Sequence, residues 1–364
     1  MSRGFEVWKD YKDVPIDCSP GARPLQPKQR KLGKNAITAL DIFAGAGGFS
    51  VGAEQANVKV VWAINHFKEA IATHALNHPY TEHVCQSVYE FNWNDAPLTD
   101  MILASPSCKC HSEAATGGLH GGTRRHTAPA HDELRANPEA VISCVSRAYS
   151  MGRHPIVVIE NVPEFRKWVL YKPFVVNALE AMGYAVSEHV LDALDFGVPS
   201  RRKRLFVIAV PGRVAFDLPR PRKRKQGTIG PLIVKQANWV PLKDWAKPSI
   251  AAKAKEQLGR IKARLGRKVP EYWVWTNTSD TNPIMPDKPF RTVTAKIGGQ
   301  TYAMKSRGRR HWIRPILPAE LRGFMGFPKS YKIEASPSLA GELLGNAVAP
   351  PVIKFVVGEL VRRA

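Results

Sequence analysis

A chain of 364 residues, 44% hydrophobic and 23% charged, can build a substantial core and is longer than one average domain. No apolar run reaches the roughly 18 to 20 residues of a membrane span, and the opening residues lack the apolar stretch of a signal peptide, so a soluble cytoplasmic chain is expected. The 5 cysteines are odd in number and show no paired metal-ligand spacing, which argues against a disulfide scaffold or a zinc site. Charge is more telling: 53 Lys and Arg oppose 31 Asp and Glu, and 27 of those bases with only 6 of those acids fall between positions 201 and 310. That segment carries +21 of the net +22, the footprint of a polyphosphate partner. Nucleic acid is expected ahead of an anionic membrane, because no amphipathic helical stripe is visible in the segment.

In chain order, residues 1–35 are rich in Pro, Lys and Asp without periodicity and read as an arm. The apolar run Ile37 to Phe43 predicts a strand, Ala44 to Phe49 a glycine turn, Ser50 to Ala56 a helix and Val58 to Ile64 a second strand. Helix is expected again at Phe67 to Leu76, with short buried strands at Met101 to Ala104 and Ile156 to Ile159 and a late strand at Arg204 to Val210. Strands alternating with helices predict an α/β fold with a doubly wound, mostly parallel sheet, whose ligands collect at the carboxyl ends of its strands. After Pro211 prolines, tryptophans and the run Arg220 to Lys225 mark a separate, smaller, loop-rich basic domain. Helix returns beyond Pro315, and Ser338 to Val357 reads as helix and turn around Gly345-Asn346. The expected division is an arm at 1–35, a catalytic and cofactor-binding domain at 36–210, a basic domain at 211–310 and a segment at 311–364 that returns to the catalytic domain.

Three groups of residues carry candidate chemistry. The glycines of Gly45-Ala46-Gly47-Gly48 let a ligand approach the backbone after the first strand, although a tight turn without ligand reads equally well. Cys108 follows a strand end within Ser105 to His111, beside Lys109 and His111, surroundings that lower a thiol pKa and make a nucleophile; the alternative is an inert buried thiol. Glu160 also ends an apolar strand, where partial desolvation suits a carboxyl proton donor, or where it serves as a cap or ion-pair partner. His66, His74, His78 and His83 suggest a metal only weakly, since no third ligand follows from their spacing; they are read as helix-surface residues and no metal is expected. Trp273 and Trp275 alternate as on a strand and are expected to pack in a core rather than stack on bases.

Together and in this order these residues resemble the DNA cytosine carbon-5 methyltransferase family. Asp41 to Gly48 looks like its S-adenosylmethionine loop, Ser107-Cys108 its Pro-Cys nucleophile and Glu160-Asn161-Val162 its Glu-Asn-Val triplet. Arg202-Lys203-Arg204 is similar to its Arg-x-Arg, Phe324 to Pro328 to its Gly-Phe-Pro region, and Gly345 to Pro350 to its carboxyl-terminal signature. The basic segment falls where the family inserts its target-recognition domain. Departures are Ser107, Lys109, Cys110 and His111 around the nucleophile, Asn65 in place of a ribose-binding acid, Ser87 in place of an adenine-reading aspartate, and Ser200 in place of a glutamine.

The resemblance implies transfer of a methyl group from S-adenosylmethionine to carbon 5 of cytosine in double-stranded DNA, on a base flipped out of the stack. It assigns catalysis to Cys108, Glu160, Arg202 and Arg204. Cofactor contacts fall to Phe43, Ala44, Gly45, Gly47, Gly48, Asn65, His66, Ser87, Pro106, Asn346 and Val348. A monomer, bacterial or phage-encoded, is expected, with a restriction nuclease as a possible partner. The alternatives are a catalytically silent DNA-binding relative, which the presence of both Cys108 and Glu160 disfavours, and a tRNA cytosine methyltransferase.

Overall fold

Strand β1 (Thr38–Ile42) is followed by β2 (Lys59–Asn65), β3 (Glu82–Cys85), β4 (Met101–Ala104) and β5 (Ile156–Asn161), then β6 (Tyr184–Asp192) and β7 (Lys203–Pro211). They form one seven-stranded sheet in the order β3-β2-β1-β4-β5-β7-β6 in a computed structural model that describes residues 16–19, 24–27, 35–107, 137–212, 214–222, 224–266, 268–278 and 282–363. Strands β1 to β5 run parallel, and β7 pairs antiparallel with β5. The expected strands are present within a residue or two; β3 and β6, whose apolar patterning is short or broken by polar residues, are additions. Helices α1 (Gly48–Glu54), α2 (Lys68–Asn77) and α3 (Asn137–Ser150) provide crossovers, and a π-helical stretch, Lys172–Asn177, leads into α4 (Ala178–Ala181).

Alternation along the strands sorts the core. Leu40, Ile42, Trp62, Ile64, Ile102, Val157, Ile159 and Val207 cluster with Val141 and Val145 of α3 and with Leu179 of α4. The residues between them, such as Ala39, Asp41, Ala63, Leu103, Val158 and Ile208, are also buried, as in a sheet covered on both faces. This first unit comprises described residues up to Leu191, Lys203–Arg220 and the chain from Val352.

The second unit takes Asp192–Arg202 and Pro221–Pro351, so it starts before residue 211 and continues past residue 310. It contains a four-stranded antiparallel sheet, β8 (Val240–Pro241), β9 (Tyr272–Thr276), β10 (Thr301–Arg307) and β11 (Arg310–Pro315), in the order β8-β11-β10-β9. It also contains α5 (Pro248–Leu265), α6 (Pro318–Phe324) and α7 (Pro337–Gly345). The basic segment is therefore more regular than its prolines suggest. Helix α5 does carry an apolar stripe, Ile250, Ala254, Leu258 and Ile261, which the lysine-rich sequence around it obscures. The stripe is buried against Trp273, Trp275 and Met304, while Lys253, Lys255, Arg260, Lys262 and Arg264 are exposed. Glu320, fully buried, is held by the fork of Arg314 and by the Val234 and Leu317 N–H groups.

Three expectations are corrected. Cys18 and Cys85 form a disulfide, and Leu25 pairs through its backbone with His83, so described parts of the amino-terminal arm lie along the outer edge of β3. The spacing conceals this bond because its partners are 67 residues apart. His74, His78 and His83 are buried, not on a helix surface. Residues Pro337–Arg363 are long and apolar enough for a membrane span by composition, but the chain forms two helices there, α7 and α8 (Pro350–Arg363), and buries Leu343, Leu344, Ile353, Val356 and Leu360 within the protein.

Trp275 is fully buried and stacks on Tyr302 at 5.1 Å. Trp275→Ala should destabilise the second unit by about 3 to 5 kcal/mol, read as a lower denaturant midpoint. An unchanged midpoint would contradict the core assignment.

Candidate active site

The parallel register sets Ile42, Ile64 and Ala104 at one level, with Ile159 beside Ala104, so the segments that follow these strands emerge on the same edge of the sheet. After β1 the backbone turns sharply: Phe43 has φ 64°, Gly45 52° and Gly47 82°. Left-handed φ at an aromatic residue is uncommon and costs energy, whereas glycine adopts it freely. Ala44 N–H donates to the Ile64 carbonyl, Gly47 N–H to the Ala44 carbonyl and Ser105 Oγ–H to the Phe43 carbonyl, which fixes the loop against β2 and the segment after β4. No side chain projects from Gly45 or Gly47, so a ligand has access to the backbone there.

Around this loop lie the other assigned residues of the first unit. Asn65 is half-buried at the end of β2, and its Oδ1 accepts the Phe67 N–H at 2.8 Å. Its oxygen is thus engaged at the start of α2, leaving the amide NH2 as the group with donors to offer. His66 is exposed, and Ser87, half-buried after β3, accepts weakly from Tyr89 N–H at 3.4 Å. Pro106 is tied down by Asn161, whose Nδ2 donates to its carbonyl at 3.2 Å while Asn161 Oδ1 accepts the Val162 N–H. The asparagine of the Glu-Asn-Val triplet therefore joins the segment after β4 to the end of β5.

Glu160 is 5% exposed, and its Oε1 lies 3.0 Å from Arg204 Nε. Antiparallel pairing makes this contact: Asn161 sits opposite Leu205, which brings Arg204 to the same end of β5. Both elements of the sequence reading of this carboxyl are present, its burial and an ion-pair partner, and the guanidinium offsets the cost of burial. Cys108, Lys109, Cys110 and His111 lie outside the described residues. Cys144, the one free cysteine among those described, is buried, and burial pushes its thiol up to about 12.

Arg202, Asn346 and Val348 belong to the second unit. Arg202 is 4% exposed and donates to the Val293 and Gly345 carbonyls. Gly345 is required by packing, since a Cβ there would approach the Thr294 carbonyl carbon to 2.3 Å. Asn346 is exposed at the end of α7 and Val348 is buried. Sequence reading missed the partners of Asp41, namely Ser50 and His74, because the two contacts join residues that no motif links.

The signature of the C-5 cytosine-specific DNA methylases matches residues 37–362. The chain is 24% identical to the Type II methyltransferase M.HaeII of Haemophilus aegyptius over 324 residues, 88% of this chain and 92% of that protein. It is 27% identical to the Type II methyltransferase M.AplI of Arthrospira platensis over 341 residues, 90% of this chain and 86% of the relative. The Entamoeba histolytica methyltransferase EhMeth shares the fold with a TM-score of 0.65 at 15% identity, covering 91% of this chain and 99% of that one. The chain belongs to the C-5 cytosine-specific DNA methylase family and is a DNA (cytosine-5-)-methyltransferase.

Proposed function

We propose that the protein methylates carbon 5 of cytosine in double-stranded DNA at the edge formed by the 43–48 loop, Pro106 and the Glu160–Arg204 pair. The observation that carries this reading is that pair: a buried carboxylate and guanidinium at the end of β5, joined through Asn161 to the segment that leads to Cys108.

The loop fits S-adenosylmethionine, because its left-handed turns at Phe43, Gly45 and Gly47 present backbone without a side chain at both glycines. Bound there, S-adenosylmethionine supplies an electrophilic methyl group on a sulfonium. Phe43 offers a ring to stack on adenine, Gly45 and Gly47 admit the methionine portion, and the Asn65 amide NH2 donates toward the ribose. Ala44, Gly48, His66, Ser87, Pro106, Asn346 and Val348 are assigned to the same cofactor.

Carbon 5 of cytosine is a poor nucleophile, so the ring is activated first. The Cys108 thiolate adds to carbon 6 while Glu160 delivers a proton to ring nitrogen 3, which places electron density on carbon 5. Arg204 orients Glu160 and faces the cytosine oxygen; Arg202 supports the second unit through its backbone carbonyl bonds and is assigned to the base edge. After methyl transfer, loss of the carbon-5 proton expels Cys108. A flipped base is required, at a cost of a few kcal/mol. The cations of α5, with Lys288 and Arg291 across a groove from Arg260 and Arg264, suit a phosphate backbone. The Type II methyltransferases among its relatives support a DNA-modification role; a restriction nuclease as partner, a monomeric state and a cytoplasmic location complete the proposed reading.

Transfer of labelled methyl to duplex DNA, set against tRNA and buffer, tests the reading; label in tRNA alone, or in neither, rejects it. Cys108→Ser should abolish transfer and trapping by 5-fluorocytosine DNA, whereas Cys110→Ser keeps most of both. Equal loss in the two variants would unseat Cys108. Glu160→Gln should slow the chemical step by about 10² to 10⁴ with DNA affinity nearly retained, because its proton is needed only as the ring is activated. A matching loss of DNA affinity would make Glu160 structural. Replacing Arg260 and Arg264 together by Ala should lessen the slope of log affinity against log salt by roughly 0.9 for each phosphate that is no longer neutralised. An unaltered slope would remove α5 from the interface.

A further inference from the structure

Beneath the cofactor loop runs a string of buried polar side chains that the chemistry above does not use. Asp41 is fully buried on the sheet face opposite Leu40 and Ile42. Ser50 of α1 donates its hydroxyl hydrogen to Asp41 Oδ2 at 2.7 Å, closing the loop across its base. Ser50 has one hydrogen to give, so its 2.9 Å bond with His74 Nε2 is donated by the imidazole. His74 Nδ1 is then an acceptor, and His83 Nε2 donates to it across 2.8 Å. The string thus joins β1, α1, α2 and β3 through neutral rings. Burial, with His78 and His83 nearby, holds His74 well below the usual histidine range, and burial with His78 brings His83 down to about 3.

Two proton arrangements satisfy every link of the string, while Asp41 Oδ1 has no hydrogen-bond partner among the described residues. With Asp41 ionised the bonds run from His83 to His74 to Ser50 to Asp41; with Asp41 protonated they all reverse, Asp41 donating to Ser50, Ser50 to His74 Nε2 and His74 Nδ1 to His83 Nε2. Burial raises the Asp41 carboxyl to about 7 against the opposing Ser50 bond, so the two arrangements exchange near neutrality. The other titratable groups facing the string are His78 of α2, whose ring lies 4.5 Å from that of His74, and Glu54 of α1, 3.2 Å from His78 Nδ1.

We propose that Ser50, His74 and His83 are positioning residues of the cofactor loop: they clamp Asp41 beneath residues 43–48 and relay its proton, so that affinity for the cofactor follows the charge of the string. This rests on the assignment of that loop to S-adenosylmethionine. The cofactor's sulfonium and ammonium outweigh its one carboxylate, so the ionised string favours it and affinity rises as pH increases through about 7.

Calorimetric titration of the full chain with S-adenosylmethionine, from about pH 5.5 to about pH 8.5, should show a gain of about tenfold across that midpoint. Ser50→Ala removes a donor to the carboxylate and should move the midpoint upward, while Ser50→Thr keeps the hydroxyl and should restore it. A pH-independent affinity in the wild type, or a Ser50→Ala profile with the wild-type midpoint, overturns the proposal. In the ligand-free protein, nitrogen-15 NMR of labelled histidines should find His74 in the Nε2–H form at high pH and the Nδ1–H form at low pH; one tautomer throughout overturns the relay, whether or not Ser50→Ala folds. Tautomer exchange without S-adenosylmethionine binding at any pH would instead overturn the loop's assignment and the coupling to cofactor, leaving the relay supported.

Discussion

Because β1 pairs in parallel with β2 on one side and β4 on the other, the segments of the first unit to which chemistry is assigned leave the sheet along one edge. The glycine turn, Asn65, Pro106 and Glu160 come together for this reason, although they are spread over more than a hundred residues. Register is equally demanding. A slip of one residue in β1 would turn Asp41 into the apolar cluster occupied by Leu40 and Ile42 and expose an aliphatic side chain to Ser50 and His74. Burial of alternate apolar residues on both faces sets that register, so the core and the site depend on the same pairing.

Buried carboxylates recur through the protein, each with a different remedy for the cost of burial. Glu320 has a bidentate arginine and two backbone donors, an arrangement that satisfies its lone pairs and holds β11 to α6. Glu160 meets the Arg204 guanidinium at the end of β5, next to Asn161, which holds the Pro106 carbonyl. Asp41 has the Ser50 hydroxyl and backbone N–H with a pair of neutral imidazoles behind them, but no cationic partner as Glu320 and Glu160 have, and burial raises its carboxyl to about 7. The same physical problem is therefore met by a bidentate ion pair at Glu320, a guanidinium contact at Glu160 and neutral hydrogen bonds at Asp41.

In the second unit the charge and the core are carried by opposite sides of the same elements. Helix α5 turns Ile250, Ala254, Leu258 and Ile261 toward Trp273 and Trp275 and leaves its lysines and arginines in solvent. A tryptophan-rich interior keeps those cations on a defined surface instead of an unstructured tail.

Local periodicity and residue chemistry are enough to specify the strand, glycine turn, helix and strand from Ile37 to Ile64, the apolar strands before Pro106 and at Glu160, and the separation of charge into one segment. Those features depend on neighbours a few residues apart, and the ordered motifs made the family legible. Which distant groups become partners is settled only when the chain folds. Folding paired Cys18 with Cys85, gave Arg202 to the Gly345 carbonyl, set Arg204 against Glu160 and buried His74 and His83 in one string with Ser50. Whether a histidine faces solvent or a buried carboxylate depends on which face of the sheet its helix covers, and that depends on strand order and crossover, quantities no local pattern encodes.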